Sequence, residues 1–263
     1  MEWSATLRYL AALARANLRQ AFARPGQAWT AIVMMFANNL LFLTIWVFYF
    51  ARFRDLRGWA LPDVALLYGV AAWSVGLLVA LAAGVRDIGG AILGGGLDVH
   101  LGRPRHPLPS LVFSRSTPAG FGDMATSLVL WLAVAGRSLH ELPFIIAMAT
   151  AGSVIIGASL TIAHALVFWW PRAARLGEEV FNGMIMIAVY PQHVYGFAVR
   201  VALFTILPIG FVALLPVEAV READPVRALI VFAAAAFYAA LAVLVFNRGL
   251  RRYRSGNLIT ENR

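Results

Sequence analysis

From residue 64 to residue 85 the chain reads VALLYGVAAWSVGLLVALAAGV, without one charged side chain. An α-helix rises about 1.5 Å per residue, so ~20 apolar residues cross the roughly 30 Å of hydrocarbon in a bilayer. Stretches of comparable length run over 27–50, 143–170 and 227–246. The 263 residues are 61% hydrophobic and 13% charged, whereas soluble domains hold about 45–50% apolar and about 25% charged residues. A membrane barrel would need alternating apolar and polar positions, and that alternation is absent. The expected fold class is all-α, a polytopic membrane protein.

Residue types that are missing narrow the chemistry. With no cysteine, thiolate metal sites, disulfides and cysteine nucleophiles are excluded. All 22 basic residues are arginine. A Walker A loop needs a lysine to reach nucleotide phosphates, so the chain carries no P-loop ATPase of its own.

Residues 1–24 form a separate, basic lead-in. At 100° per residue, Arg8, Arg15 and Arg19 fall within about 40° of one another, opposite Trp3, Leu7, Leu10, Ala14 and Leu18. Such a helix lies in the membrane interface. The remaining 25–263 read as one transmembrane domain of six spans, at 27–50, 63–85, 110–135, 143–170, 176–190 and 227–246. A polar segment, 86–109, separates spans two and three. With the N-terminus inside, fifteen arginines fall on cytoplasmic segments and six on outer loops, with Arg200 ambiguous. Positive charge is retained on the cytoplasmic side, so both termini are expected there.

Residues 178–217 are about twice as long as one span needs. One span at 176–190, followed by a re-entrant element at 191–217, keeps the basic tail inside. Pro191, Pro208 and Pro216 suit broken helices covered by protein, with Arg200 as an interfacial charge. The alternative places the span at 196–215, with 178–190 as a helix on the cytoplasmic side.

Few polar residues look chemical. Asp98, His100 and His106 could suggest a metal, but Pro104 breaks the helix face that would gather them, and the histidines look incidental. Glu178 and Glu179 can satisfy amides in a first helical turn or pair with Arg172 and Arg175. His164 is the one ionisable residue well inside a clear span, read as a neutral histidine bonded across helices. Asn38 and Asn39 read as inter-helix hydrogen bonders or pathway lining. The carboxylates fall in loops or near span ends, with Asp123 the least certain, which argues against an ion-coupled carrier.

The segment IGGAILGGGLDVHLGRPRHPL resembles a motif of one branch of type-2 ATP-binding-cassette (ABC-2) exporter permeases, at Gly96, Leu97, Asp98, Leu101, Arg103 and Pro104. VFWW at 167–170 resembles the aromatic end of that branch's fourth span. Residues 190–216 resemble its signature at Tyr190, Pro191, Arg200, Thr205, Pro208 and Pro216.

The resemblance implies a permease subunit of the bacterial inner membrane that binds lipid and no nucleic acid. It pairs with a second permease, identical or related, and with two copies of an ABC ATPase that binds ATP and Mg. Neither catalytic nor metal nor cofactor sites are then expected in this chain. The segment after span two becomes a coupling helix, with Gly96, Leu97, Asp98, Leu101, Arg103 and Pro104 facing the ATPase and Asp98 and Arg103 as polar anchors. Other classes consistent with the residues are an ion-coupled secondary transporter and a non-transporting scaffold or intramembrane enzyme.

Overall fold

The computed structural model describes residues 2–53, 55–56, 58–103, 105–190 and 196–253, with side chains from residue 8 onward except that of residue 197. The expectation of an all-helical membrane protein is met. Four helices are long and apolar enough to cross a bilayer: α2 (Pro25–Arg52), the rod that begins with α3 (Leu61–Ala82), α8 (Leu142–Ala165, prolonged to Phe168) and α12 (Pro225–Leu250).

Burial sorts these four. Val64, Leu66, Leu67, Val70 and Ala80 of α3 are fully buried, because this helix is apolar on every side and is enclosed by α2, α7 (Ala119–Val129) and α8. By contrast α2 exposes Met34, Leu41, Ile45 and Phe48, and α12 exposes Val226, Leu229, Phe232 and Phe237. Those apolar faces suit lipid or another membrane subunit. Helix α1 (Glu2–Ala21) exposes Arg15 and Arg19 and half-buries Leu10 and Leu18.

The rod containing α3 bends at Ala82 (φ −135°, ψ 33°), passes through a tight turn at Ala83–Asp87 and continues as α4 (Ile88–Leu93). Gly95, at φ +74°, then reverses the chain into α5 (Leu97–Leu101), a conformation that glycine adopts without a Cβ clash. Helix α6 (Pro107–Val112) follows.

The third expected span differs most from 110–135. It breaks after α6, and the apolar helix resumes only at α7, which a wide π-type turn prolongs to Val134. Thr117 N–H donates to the Val79 carbonyl at the break (2.9 Å). The polarity of this stretch is absorbed internally. Thr126 Oγ1 donates to the Gly122 carbonyl (2.9 Å) and Ser127 Oγ to that of Asp123 (2.9 Å), so neither hydroxyl is left bare in an apolar core. Close approach does the rest. A Cβ on Gly120 would run into the backbone of Gly76 and Ala80 on α3, and one on Gly122 into the backbone of Ile32 and Phe36 on α2.

Helix α9 (Leu176–Ala188) begins beside Arg86, and two residues past its end the Tyr190 ring meets Trp46 late in α2 (centroids 5.8 Å). Two short helices follow, α10 (Phe197–Thr205) and α11 (Leu215–Arg221), the latter extended backward by a π-type turn from Gly210. The two arms meet at 81°. Pro208 lies in the bend, where its missing N–H forbids a continuous ladder, while Pro216 follows directly on the π-type turn, as the second residue of α11. Tyr238, halfway along α12, donates to the Thr205 carbonyl (3.2 Å), and Arg221 pairs with Asp63 at the start of α3 (2.9 Å). The bend therefore reaches deep along α12, and the element returns to the end where α3 starts.

Asp224 caps α12, accepting from the Val226 and Arg227 amides (2.8 and 3.3 Å). Asp224→Ala is expected to cost about 1 kcal/mol, the usual worth of such a cap, read as a lowered melting temperature of the detergent-solubilised protein.

Candidate functional site

Two regions concentrate polar residues. The first is the turn-rich segment α4–α6 at one end of the bundle. Leu97 is fully buried and anchors α5, whereas Val99 (65% exposed) and Leu101 (42%) face outward. Gly96 is exposed and Asp98 half-buried, while Pro104 lies outside the described residues.

Arg103 turns inward. Its Nη1 donates to Ser110 Oγ (2.8 Å) and Tyr9 Oη (3.2 Å). Ser110 is fully buried and also meets Tyr9 Oη (3.1 Å) and His100 Nδ1 (3.0 Å). One arrangement satisfies every atom. Arg103 has only donors, so Ser110 accepts from Arg103 and Tyr9 and gives its single hydrogen to the His100 Nδ1 lone pair. That geometry requires neutral His100. Burial, reinforced by the Arg103 guanidinium, pushes its pKa below the ordinary histidine value. The hydrogen bond to Ser110, opposed by burial and aided by Arg103, lowers the Tyr9 phenol.

The segment has two more ties. Asn17 Nδ2 of α1 donates to the Phe113 carbonyl (2.6 Å). His106 Nδ1 accepts from the Leu108 amide (3.3 Å), so its Nε2 carries the proton and donates to Asn247 Oδ1 of α12 (2.7 Å). His100 and His106, which look incidental in the sequence, thus tie the segment to α6 and α12. Their spacing around Pro104 gave no warning, because the partners lie up to 141 positions away.

Behind the segment, Arg86 forms a two-point ion pair with Glu178 (Nε–Oε1 3.1 Å, Nη2–Oε2 2.6 Å) and stacks over Phe181 (4.4 Å). Glu178 therefore pairs with Arg86 at the far end of the α3 rod, while Arg172 and Arg175 are exposed. Arg115 bonds Asp87 (2.8 Å). His164 is 2% exposed and fills a slot between Gly89 and Gly177, either of whose Cβ atoms would strike the ring. Among the described residues neither ring nitrogen has a hydrogen-bond partner, so the expected inter-helix bond is not made. The imidazole acts as a spacer where α4, α8 and α9 meet.

The second region lies halfway along α2. Asn39 is buried and Asn38 exposed. Tyr68 Oη donates to Asn39 Oδ1 (2.8 Å), which turns the Asn39 amide so that Nδ2 donates to Asp123 Oδ1 (2.7 Å). Asp123 is thus a buried residue opposite the middle of a spanning helix, not one near a span end. That removes one argument against ion coupling. These residues line a cavity of about 420 Å³ between α2, α3, α7 and α9. Arg200 is exposed on α10, and Pro191 lies outside the described residues.

Residues 33–256, most of this chain, match the model of the family described as ABC-2 family transporter protein. The chain belongs to the ABC-2 transporter family. No curated protein and no solved structure matches it. Membership makes the molecule a multi-pass membrane component of an ABC transporter, a permease rather than the hydrolytic subunit, and members typically work with ATPase partners. The ABC-2 match spans both polar regions and leaves out α1 and the first turns of α2.

Proposed function

We propose that this ABC-2 permease couples ATP hydrolysis, carried out by two copies of a separate ATPase, to export of a substrate across the bacterial inner membrane, paired with a second permease, identical or related. The observation that carries the reading is α5: a short helix at one end of the bundle, fixed by buried Leu97 and the Arg103–Ser110–Tyr9 cluster, with Val99 and Leu101 offered outward. Apolar side chains on a rigid protrusion suit a docking groove on a partner. Motion of α5 passes to α1 through Tyr9 and to α12 through His106 and Asn247.

This end is assigned to the cytoplasm, with both termini, and six crossings complete the path. The excess of arginine on its segments supports that side, since retention of positive charge follows the count of basic residues. The 191–217 element is assigned as re-entrant, since its bend reaches Tyr238 and its end returns to Asp63.

Purification of the chain from its native membrane is expected to bring down a Walker A-bearing ATPase whose hydrolysis rate changes when the permease is removed. Recovery without any nucleotide-binding chain, together with transport in ATP-free vesicles driven by an imposed proton gradient, would overturn the reading in favour of an ion-coupled carrier. Asp123 at mid-helix is the observation that keeps that second reading in play.

A further inference from the structure

Asp123 ties α7 to α2 through Asn39, but that tie does not require an acid. The residue is 6% exposed and lies beside Asn39, midway along a membrane-crossing helix. Oδ1 accepts from Asn39, but among the described residues Oδ2 has no partner and no basic group pairs with the side chain. An ionised carboxylate at such depth calls for a counter-charge, and without one the group takes up a proton. Helix packing alone does not call for an acid here. Asn39 would be equally satisfied by an amide.

The surroundings are those of a ligand site. The cavity volume, about 420 Å³, falls in the range of small-molecule pockets, about 300–1,000 Å³. Its walls are apolar and aromatic: Phe42 stacked on Tyr68 (5.3 Å), with Val75, Ile185 and Tyr190. Among the described residues, no arginine and no second acidic residue lines it. Of its lining, Asn38 on α2 and Met186 and Tyr190 on and beyond α9 are exposed, a route by which a molecule dissolved in the bilayer would enter sideways. A single carboxylate among apolar walls does not suit a metal ion, which needs several oxygen ligands.

We propose that this cavity binds an amphipathic organic cation, a protonated amine on an apolar body, with the ammonium on Asp123 Oδ2 and the body against Phe42, Val75, Ile185 and Tyr190. The ligand supplies the positive charge that the chain omits. Asn39 and Tyr68 are positioning residues that hold the carboxyl group in one orientation. The proposal rests on the transporter reading for its meaning as a substrate site, but not for its test.

The test uses the full chain in lipid nanodiscs, without nucleotide or ATPase. Two photoprobes are compared, a benzophenone carrying an alkylammonium and its neutral alcohol analogue of equal length. The ammonium probe is expected to label peptides from 35–42 and 185–190 about tenfold more efficiently than the alcohol, the ratio expected of a charge-assisted hydrogen bond. Asp123→Asn keeps the bond to Asn39 and should bring the ammonium probe down to the alcohol's level. Ile185→Trp, which fills the cavity without touching the carboxyl, should lower labelling by both probes. Equal labelling by the two probes in the unaltered chain, or unchanged labelling in Asp123→Asn, would overturn the proposal. A missing ATPase partner would sink the transporter reading and leave this result standing.

Discussion

Gly120→Leu is expected to leave almost no correctly assembled protein, and Gly120→Ala to lower the melting temperature by many degrees. At Gly120 a Cβ would collide with the Gly76 carbonyl and lie 2.8 Å from the Ala80 nitrogen. Both obstacles are backbone of α3, so no rotamer change relieves them. Moving α7 away would also break the Asn39–Asp123 bond and the Gly122 contact with α2, since α7 is wedged between two helices. Overpacking usually costs about 1–3 kcal/mol, and a clash between two backbones belongs at the upper end even for alanine. Stability of ~5–15 kcal/mol does not absorb leucine there. Gly90→Ala is the control, because nothing lies within 4 Å of its Cβ position. That change should be neutral or mildly stabilising, given a helix-propensity gain of up to about 1 kcal/mol. Thermal unfolding in detergent separates the variants, and a Gly120→Leu protein that melts like the parent would refute the close-packed geometry.

The second large effect is expected at the opposite extreme of burial. Val99→Asp combined with Leu101→Asp should abolish retention of the ATPase while leaving the permease's melting temperature within about 1 kcal/mol of stability of the parent. Both side chains are exposed in the isolated chain, so little folding energy is at stake. Interface anchors cost ~2 kcal/mol or more each when lost, and a buried carboxylate adds its desolvation penalty, so association should weaken by at least about 100-fold. Leu97→Asp gives the contrasting result. This residue is fully buried, and its variant should fail in folding before it fails in association. Undiminished ATPase retention in the double variant would show that α5 is not the docking element.

How far the sequence is legible follows from where each signal resides. The helices α2, α3, α8 and α12 are visible because their signal is local: a long apolar run is enough. Helix α7 is obscured because Asp123, Thr126 and Ser127 look polar in sequence yet find partners one turn away or on α2. The polar segment after α3 could be found, but its internal wiring could not. Arg103 looks like an outward anchor until Tyr9 and Ser110 are seen beside it. Glu178 has arginines three and six positions before it, yet its partner is Arg86, 92 positions away. His164 suggests a hydrogen bond, whereas its room is cut by Gly89 and Gly177 and its role is shape. Pairings between distant helices leave no periodic trace along the chain.

The ties at Tyr9, Asn17 and His106 have a mechanical consequence. Helix α1 is bonded to Ser110 and Phe113, and α12 is bonded to His106 through Asn247. The first and last helices of the described residues are therefore fastened to the same short stretch, residues 106–113, and the fold closes on itself like a hoop with one clasp. A displacement applied at the clasp reaches both ends of the hoop in the same instant. It need not travel through the helices that lie between them in sequence order.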